Sequence, residues 1–317
     1  MRVAVVGAGL AGLAAARELA ADGHEVVVLE KSRGLGGRLA SRRAEGTVLD
    51  HGSPVIAAPR ETALGRLCDA LPADDRVDLP DGIAFASGAT RMPKLMAEGL
   101  DVRLGVRLAA LRPAAGGFEL GDEQGNTHGT VDGLVVTAPA PQSADLLERS
   151  PEDGPRVALL RSLTYEPAVM VLLGATPAPG LGWTLHRAAD GPVAEVRREA
   201  MKGRTAAGAE PVVARLDPSA SAALIDASDE DVLAAALPAL GTILGAPPAW
   251  SHVTRWRFAV PRGHLDGDEV NPPGSRIVIA GDTVTGAAFG GSTHHAVFDS
   301  GVRAARLLSA AVAVAPR

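Results

Sequence analysis

Hydrophobic positions along the chain follow two periods, and each change of period marks a new element. Val3-Ala4-Val5-Val6 is an unbroken apolar run, the pattern of a short strand buried on both faces. A helix over Leu10 to Ala21 follows and stops at Asp22-Gly23-His24, after which Val26-Val27-Val28-Leu29 is a second buried run. Arg60 to Leu71 reads as an amphipathic helix. The stretch Pro72 to Gly88 is loop-rich, with Ile83-Ala84-Phe85 a short strand inside it. A helix starts at Met92, and Asp101 to Leu111 alternates as strand, turn, strand. Gly117 to Leu120 and Gly129 to Val131 form a hairpin through Gly125-Asn126. Leu134-Val135-Val136 is a buried strand that stops before Pro139, and Ser143 to Leu147 is helical.

Beyond Ser150 the pattern turns to sheet. Strands are predicted at Pro167 to Leu173, Trp183 to His186, Val193 to Val196, Val212 to Leu216 and His252 to Pro261. A helix runs to Leu244 behind Ser228, which can cap the N–H of Asp231. The last buried strand, Arg276 to Ala280, is followed by a glycine-rich loop, Gly286 to Gly291, and a helix from about His294 to Leu308.

Chemistry concentrates where the first strands end. Gly7, Gly9 and Gly12 make GxGxxG between a strand and a helix. The first glycine suits a tight turn, the second close approach of a pyrophosphate, the third close packing of helix on strand. Glu30 closes the second strand 18 residues beyond Gly12, where a carboxylate accepts from ribose hydroxyls. In that context the motif indicates a dinucleotide site at the positive end of the helix. The alanine-rich start behind Arg2 therefore reads as a βα unit and not a secretory leader. A second glycine turn, Gly34-Leu35-Gly36-Gly37-Arg38, follows directly, and its arginine suits a second approach to the same diphosphate. Gly281-Asp282 stands at the carboxyl end of the final strand, where open α/β sheets bind ligands.

Composition narrows the reading. The chain has 317 residues and is 46% hydrophobic, enough for two domains. Its 37 acids against 31 bases, with no basic block, make nucleic acid an unexpected partner, and no run of 18 apolar residues suggests a membrane span. With Cys68 the only cysteine, an internal disulfide is excluded, a cysteine zinc site is not expected and the cytoplasm is the expected compartment. No metal site is expected: His294-His295 has no third ligand at metal spacing. Tyr165 is the only tyrosine, so a cage of two tyrosines is excluded by counting.

The GxGxxG unit, the GGR that follows it and the late Gly-Asp together resemble the FAD-dependent amine oxidase superfamily. Asp50-His51-Gly52, Ala140-Pro141-Gln142 and Arg255-Trp256 resemble its renalase-like branch. The resemblance implies an α/β protein: a Rossmann-type FAD-binding domain, p-hydroxybenzoate hydroxylase-like (GR2), with a mixed-sheet substrate domain. The expected FAD-binding domain is discontinuous, over 1–60, 89–148 and 265–317; 61–88 and 149–264 would form the substrate domain. FAD would be bound non-covalently. Gly7, Gly9, Leu10, Ala11 and Gly12 would meet it from the first turn; Glu30, Lys31, Gly37, Arg38 and Leu39 from the second. Leu108 would meet the adenine through its backbone. Gly281 and Asp282 would lie at the ribityl and diphosphate, and the N–H groups of His295, Ala296 and Val297 at the flavin pyrimidine ring. The family normally has glycine where Ala296 stands.

His51, Trp256 and His295 are the candidate catalytic residues. His51 suits either a pocket acid/base or a loop histidine bonded to backbone; Trp256 suits either a flavin wall or core packing. Lys202 and Arg204 occupy the family's basic turn, as a solvated turn or a phosphate contact. Where the branch continues with a glutamine and two aromatics after Asp-His-Gly, this chain has Ser53-Pro54-Val55-Ile56-Ala57, an altered pocket wall. The implied activity is hydride transfer from a small reduced substrate, a dihydronicotinamide isomer or an amine, to flavin N5, with oxygen as acceptor and hydrogen peroxide as product. Of the three lysines, Lys31, Lys94 and Lys202, none is assignable to the lysine that amine-oxidase chemistry places near N5. Two other readings stand beside this one: a pathway-specific dehydrogenase or desaturase of an apolar metabolite, and a flavin-binding protein without turnover. Oligomeric state is not legible.

Overall fold

The computed structural model describes residues 1–148, 154–175, 182–206, 208–285 and 294–314. The first half runs β1 (Arg2–Val6), α1 (Leu10–Ala21), β2 (Glu25–Glu30), a hairpin of β3 (Ser41–Ala44) and β4 (Thr47–Asp50), then α2 (Ala63–Asp69). A second hairpin, β5 (Arg76–Leu79) and β6 (Gly82–Phe85), leads to α3 (Arg91–Ala97), β7 (Asp101–Leu104), the meander β8 (Leu108–Ala114), β9 (Gly117–Asp122) and β10 (Thr127–Val131), β11 (Gly133–Val136) and α4 (Ala140–Leu147). The second half is α5 (Gly154–Ser162), β12 (Tyr165–Ala175), β13 (Leu185–Arg187), β14 (Val193–Arg198), β15 (Glu210–Leu216), α6 (Pro218–Leu224), α7 (Asp229–Leu244) and β16 (Trp250–Pro261). The chain then returns through α8 (Gly267–Val270), β17 (Ile277–Ile279), α9 (Asp282–Thr285) and α10 (His294–Val314).

β7, β2, β1, β11 and β17 lie side by side as a parallel sheet. Its strands are apolar throughout because both faces are covered. On one face α1 and α10 pack with α2 and α3 around Leu13, Leu19, Met92 and Leu308; on the other, the β8–β10 meander and α4 pack around Leu111, Leu120 and Leu147. Strand order reverses between β1 and β11, so the crevice lies at the carboxyl ends of the sheet, where Val6, Glu30 and Val136 stop.

The second sheet, β13-β14-β15-β12-β16, is antiparallel. Alternation along β12 divides its faces: Val169, Val171 and Leu173 pack on α7, while Ala168, Met170 and Leu172 face Leu49 of β4. That second face joins the two sheets. The two-sheet α/β architecture is as the sequence implies; the second sheet, expected to be mixed, is antiparallel at every pairing.

Boundaries differ in places with clear causes. α2 begins at Ala63, not Arg60, because the Thr62 hydroxyl caps Gly65 N at 3.0 Å. α4 begins at Ala140, since Pro141 is tolerated in a helix's first turn. The loop expected over 72–88 contains the β5–β6 hairpin, held to the rest by Ile56 pairing with Ile83. Leu64, Cys68, Leu71, Ile83 and Phe85 belong to the α1–α10 core, while Asp81, Phe85 and Ala86 accept hydrogen bonds from Arg197 and Arg204, so residues 61–88 touch both halves. Cys68 is wholly buried and burial pushes its thiol up to about 12, as a packing residue. The Gly286 to Gly291 loop lies outside the described residues. No described helix is long and apolar enough to cross a membrane.

Candidate active site

A cleft of about 1510 Å³ opens at the carboxyl ends of the parallel strands and is walled on its far side by β3, β4 and β16. Its floor is the two glycine turns. Gly7 has φ +104°, open to glycine alone without strain, and a Cβ there would stand 2.6 Å from Thr137 Oγ1. Gly12 sits where a Cβ would be 1.9 Å from the Gly7 carbonyl oxygen, so it serves packing and does not itself line the cleft. Gly9 caps α1 with no side chain closing the helix end, and Gly9, Leu10 and Ala11 face the cleft. The second turn is brought against the first: Gly9 bridges Gly36, and Gly36 N donates to Ala8 O at 2.9 Å. An open helix N-terminus between two glycine turns fits a pyrophosphate.

Glu30 is buried and oriented. Its Oε2 accepts from Ala8 N at 2.8 Å and its Oε1 from Ser32 N at 2.7 Å, which leaves the carboxylate facing the cleft. Lys31 Nζ donates to Gln142 Oε1 of α4 at 2.9 Å, and Leu108 completes this end. Gly37, Arg38, Leu39 and Gly281 line the middle. Arg38 Nη1 donates to Ala259 O at 3.1 Å and to Asp282 Oδ2 at 2.8 Å. Asp282, expected to face the ribityl chain, is instead buried beneath the cleft wall with Arg38 on its carboxylate. It positions the guanidinium and does not line the cavity.

The other end is formed by His51, Ser53, Trp256, His294 and Val297. The His51 ring stacks on Trp256 with centroids 5.4 Å apart and 20° between planes, and Trp256 Nε1 donates to His51 O at 2.7 Å. Ala57 N donates to His294 Nδ1 at 3.3 Å, so the ring proton belongs on Nε2, which meets Ser53 Oγ at 2.8 Å. Burial pushes both imidazoles down from 6.5 to about 4, so both are neutral near pH 7.

The sign of that shift sets a pH response. Folded values lie below unfolded ones, so the unfolded chain binds more protons between pH 6.5 and 4, and stability falls as pH drops through that window. The slope is roughly 1.4 kcal/mol per pH unit for each imidazole. Urea midpoints should decline between about pH 7 and pH 5, less steeply in His294→Gln. A midpoint flat across that range would refute the neutral assignment.

At α10 the cleft-facing side chains are not those of the expected residues. His295 and Ala296 do not line the cleft; with Thr285, Asp299 and Arg303 they border a separate open depression. Helical geometry is the reason: His294 and Val297, three apart, share the cleft face, and the two residues between them point away. His294, considered in the sequence only as half of a metal pair, is the histidine on the cleft. The altered wall also differs from expectation. Val55 and Ile56 are buried in the core, and only Ser53 of that stretch reaches the cavity.

Lys202 and Arg204 are neither a solvated turn nor a phosphate contact. Both are buried in a network with Asp50 and Glu199 behind His51. Lys202 Nζ donates to Asp50 Oδ2 at 2.9 Å and to Glu199 Oε1 at 2.7 Å. Arg204 donates to Asp50 Oδ2 at 2.9 Å and also pairs with Glu199. Ser41 Oγ and Ala89 N donate to Asp50 Oδ1 at 2.7 and 2.9 Å. Burial alone would raise the Asp50 carboxyl, but Lys202 and Arg204 hold it at about 2.

Residues 80–309 match the family described as flavin-containing amine oxidoreductase, and residues 5–71 match the NAD(P)-binding Rossmann-like domain. A structure of a protein assigned as a protoporphyrinogen oxidase, from Exiguobacterium sp. 255-15, superposes with a TM-score of 0.73 over 96% of this chain and 98% of its own at 16% identity. Putrescine oxidase bound to putrescine gives 0.71, covering 98% and 99%, also at 16% identity. At such identity these likenesses speak for the fold. A 4,4'-diapophytoene desaturase of Staphylococcus haemolyticus is 46% identical over 59 residues, 19% of this chain and 12% of that protein's length.

Proposed function

The chain belongs to the flavin-containing amine oxidoreductase family, and from that premise we propose that it is an oxidoreductase that removes a hydride from a small reduced substrate, with oxygen as final acceptor and hydrogen peroxide as product. The cofactor is FAD, which when bound supplies the hydride-accepting centre. The single observation that carries the reading is the joining of two glycine turns at the open end of α1, in one cleft with the His51–Trp256 wall. Gly9, Leu10 and Ala11 would hold the diphosphate, Glu30 a ribose, and Arg38, braced by Asp282, the middle of the cofactor.

Neutral His51 stands without charge at the substrate end, and neutral His294 beside it has both nitrogens engaged, by Ala57 N and Ser53 Oγ. Such an end suits a donor already electron-rich, whose oxidation asks for little proton transfer. Of the three lysines, Lys202 is sealed in the Asp50–Glu199 network and Lys31 is bonded to Gln142 at the nucleotide end, which leaves Lys94 of α3 as the one lysine open on the cleft. The uncharged imidazoles favour a dihydronicotinamide isomer over an amine, as the renalase-like resemblance implies. The apolar-metabolite reading loses the support of Val55 and Ile56, which face the core, and keeps that of the partial match to a 4,4'-diapophytoene desaturase.

An anaerobic flavin spectrum recorded before and after addition of dihydronicotinamide isomers tests the proposal. Bleaching by an isomer, reversed by air with hydrogen peroxide formed, is expected. Flavin that stays oxidised with every isomer would overturn it in favour of a dehydrogenase or a silent binder.

A further inference from the structure

The carboxylates on the cleft gather at one end of its length, where Lys31 and Arg107 stand among them. The end built from β2, β9 and α4 carries every carboxylate that lines the cavity among the described residues: Glu30, Asp122, Glu123, Asp145 and Glu148. The opposite end, on the β3–β4 hairpin, α3 and β16, carries Arg43, Lys94, Arg255 and Arg257 and no carboxylate; Arg38 stands between.

Three of these cations are already answered. Arg38 holds Asp282, Arg255 holds Asp229, and Arg257 holds Asp226. Arg43 and Lys94 pair with no acid among the described residues, and both are anchored near one point. Arg43 lies two positions along β3 from Ser41 and opposite Val48 in the ladder, on the hairpin that leads into His51. Lys94 lies one helical turn beyond Thr90, whose N–H reaches Ser41 Oγ at 3.3 Å. Ser41 and Thr90 line the cavity between them.

We propose that Arg43 and Lys94 form a recognition site for an anionic group, a carboxylate or phosphate, on the substrate that is oxidised beside His51 and Trp256. The inference rests on the proposed oxidoreductase function and narrows it. A cationic amine would enter an end whose lining holds no carboxylate, whereas an anionic donor is drawn in by both unpaired cations. The diphosphate of the cofactor is addressed separately, by the glycine turns and the N-terminus of α1.

Calorimetric titration of the flavin-loaded protein with benzoate and with benzylammonium tests this, because the two probes share a ring and differ in the sign of charge. Benzoate should bind at least about tenfold more tightly at low salt, and the advantage should shrink as salt is raised. Arg43→Gln/Lys94→Gln should remove the advantage while flavin retention stays at the level of the unmodified protein. Equal or reversed preference, no binding of either probe, or a preference that survives the double substitution overturns the proposal. So does loss of flavin from the double variant, which would assign the cations to the cofactor. None of these readouts depends on turnover, so failure here is distinct from flavin that no donor reduces.

Discussion

Lys202→Met is expected to destabilise the protein by about 3–5 kcal/mol, the cost of leaving a buried ionic network one charge short. In the intact network two acids, Asp50 and Glu199, are balanced by Lys202 and Arg204, all of them buried. Methionine keeps the volume and removes the charge, so two carboxylates share one guanidinium. The loss should be greatest near neutral pH and shrink on acidification, as the surplus carboxylate takes up a proton. The unmodified protein behaves in the opposite sense: its Asp50, held at about 2, stabilises the fold above the ordinary carboxylate range and loses that contribution only as pH falls towards 2. Lys202→Met/Glu199→Gln restores the balance and should recover much of the loss, a coupling that a double-mutant cycle reads directly. Urea unfolding of the four proteins measures it. Equal stability of the single and double variants would mean that Lys202 acts through packing alone. Because Asp50 precedes His51 and fixes both Ser41 and Ala89, the single variant should also loosen the substrate end of the cleft.

That network marks the limit of what the sequence discloses. The dinucleotide end was legible because its chemistry is local: Gly7, Gly9, Gly12 and Glu30 lie within one βαβ unit, and spacing fixes their relative places. The sheets were legible because buried strands keep long apolar runs or strict alternation, as β12 does in sending Val171 to α7 and Leu172 to β4. Asp50 and Lys202 are 152 residues apart, and no local pattern announces their contact. A basic turn reads as solvated unless its acids are known to arrive from another element. At α10 the missed signal was available. His294 and Val297 are spaced to share a face, and that spacing alone sets them apart from His295 and Ala296. Asp282 was placed correctly at the end of β17, but its partner depended on Arg38, brought from 244 residues away.

Gly12→Ala is expected to cost more at the cofactor than any substitution on the cleft wall. The added Cβ would stand 1.9 Å from Gly7 O and 3.0 Å from both Gly7 C and Thr137 Oγ1. The first two are backbone atoms of a turn that cannot yield easily: Gly7 N is bonded to Leu29 O at 2.9 Å, and its φ of +104° is already specific to glycine. Relief by sliding α1 outward is blocked on the opposite side. There α10 crosses so closely that a Cβ at Gly301 would meet Ala11 O at 2.1 Å. α1 is therefore clamped between the glycine turn and α10, and one methyl group must displace the helix end that faces the diphosphate. Overpacking of this kind costs about 1–3 kcal/mol; transferred to cofactor affinity, it weakens FAD binding about ten- to hundredfold. Gly241→Ala, in α7 with nothing within 4 Å of the new Cβ, is the matched control and should leave flavin content unchanged. Flavin absorbance per polypeptide after gel filtration separates the two. Full flavin content in Gly12→Ala would show that the end of α1 does not hold the diphosphate, and the assignment of the cleft would fall with it.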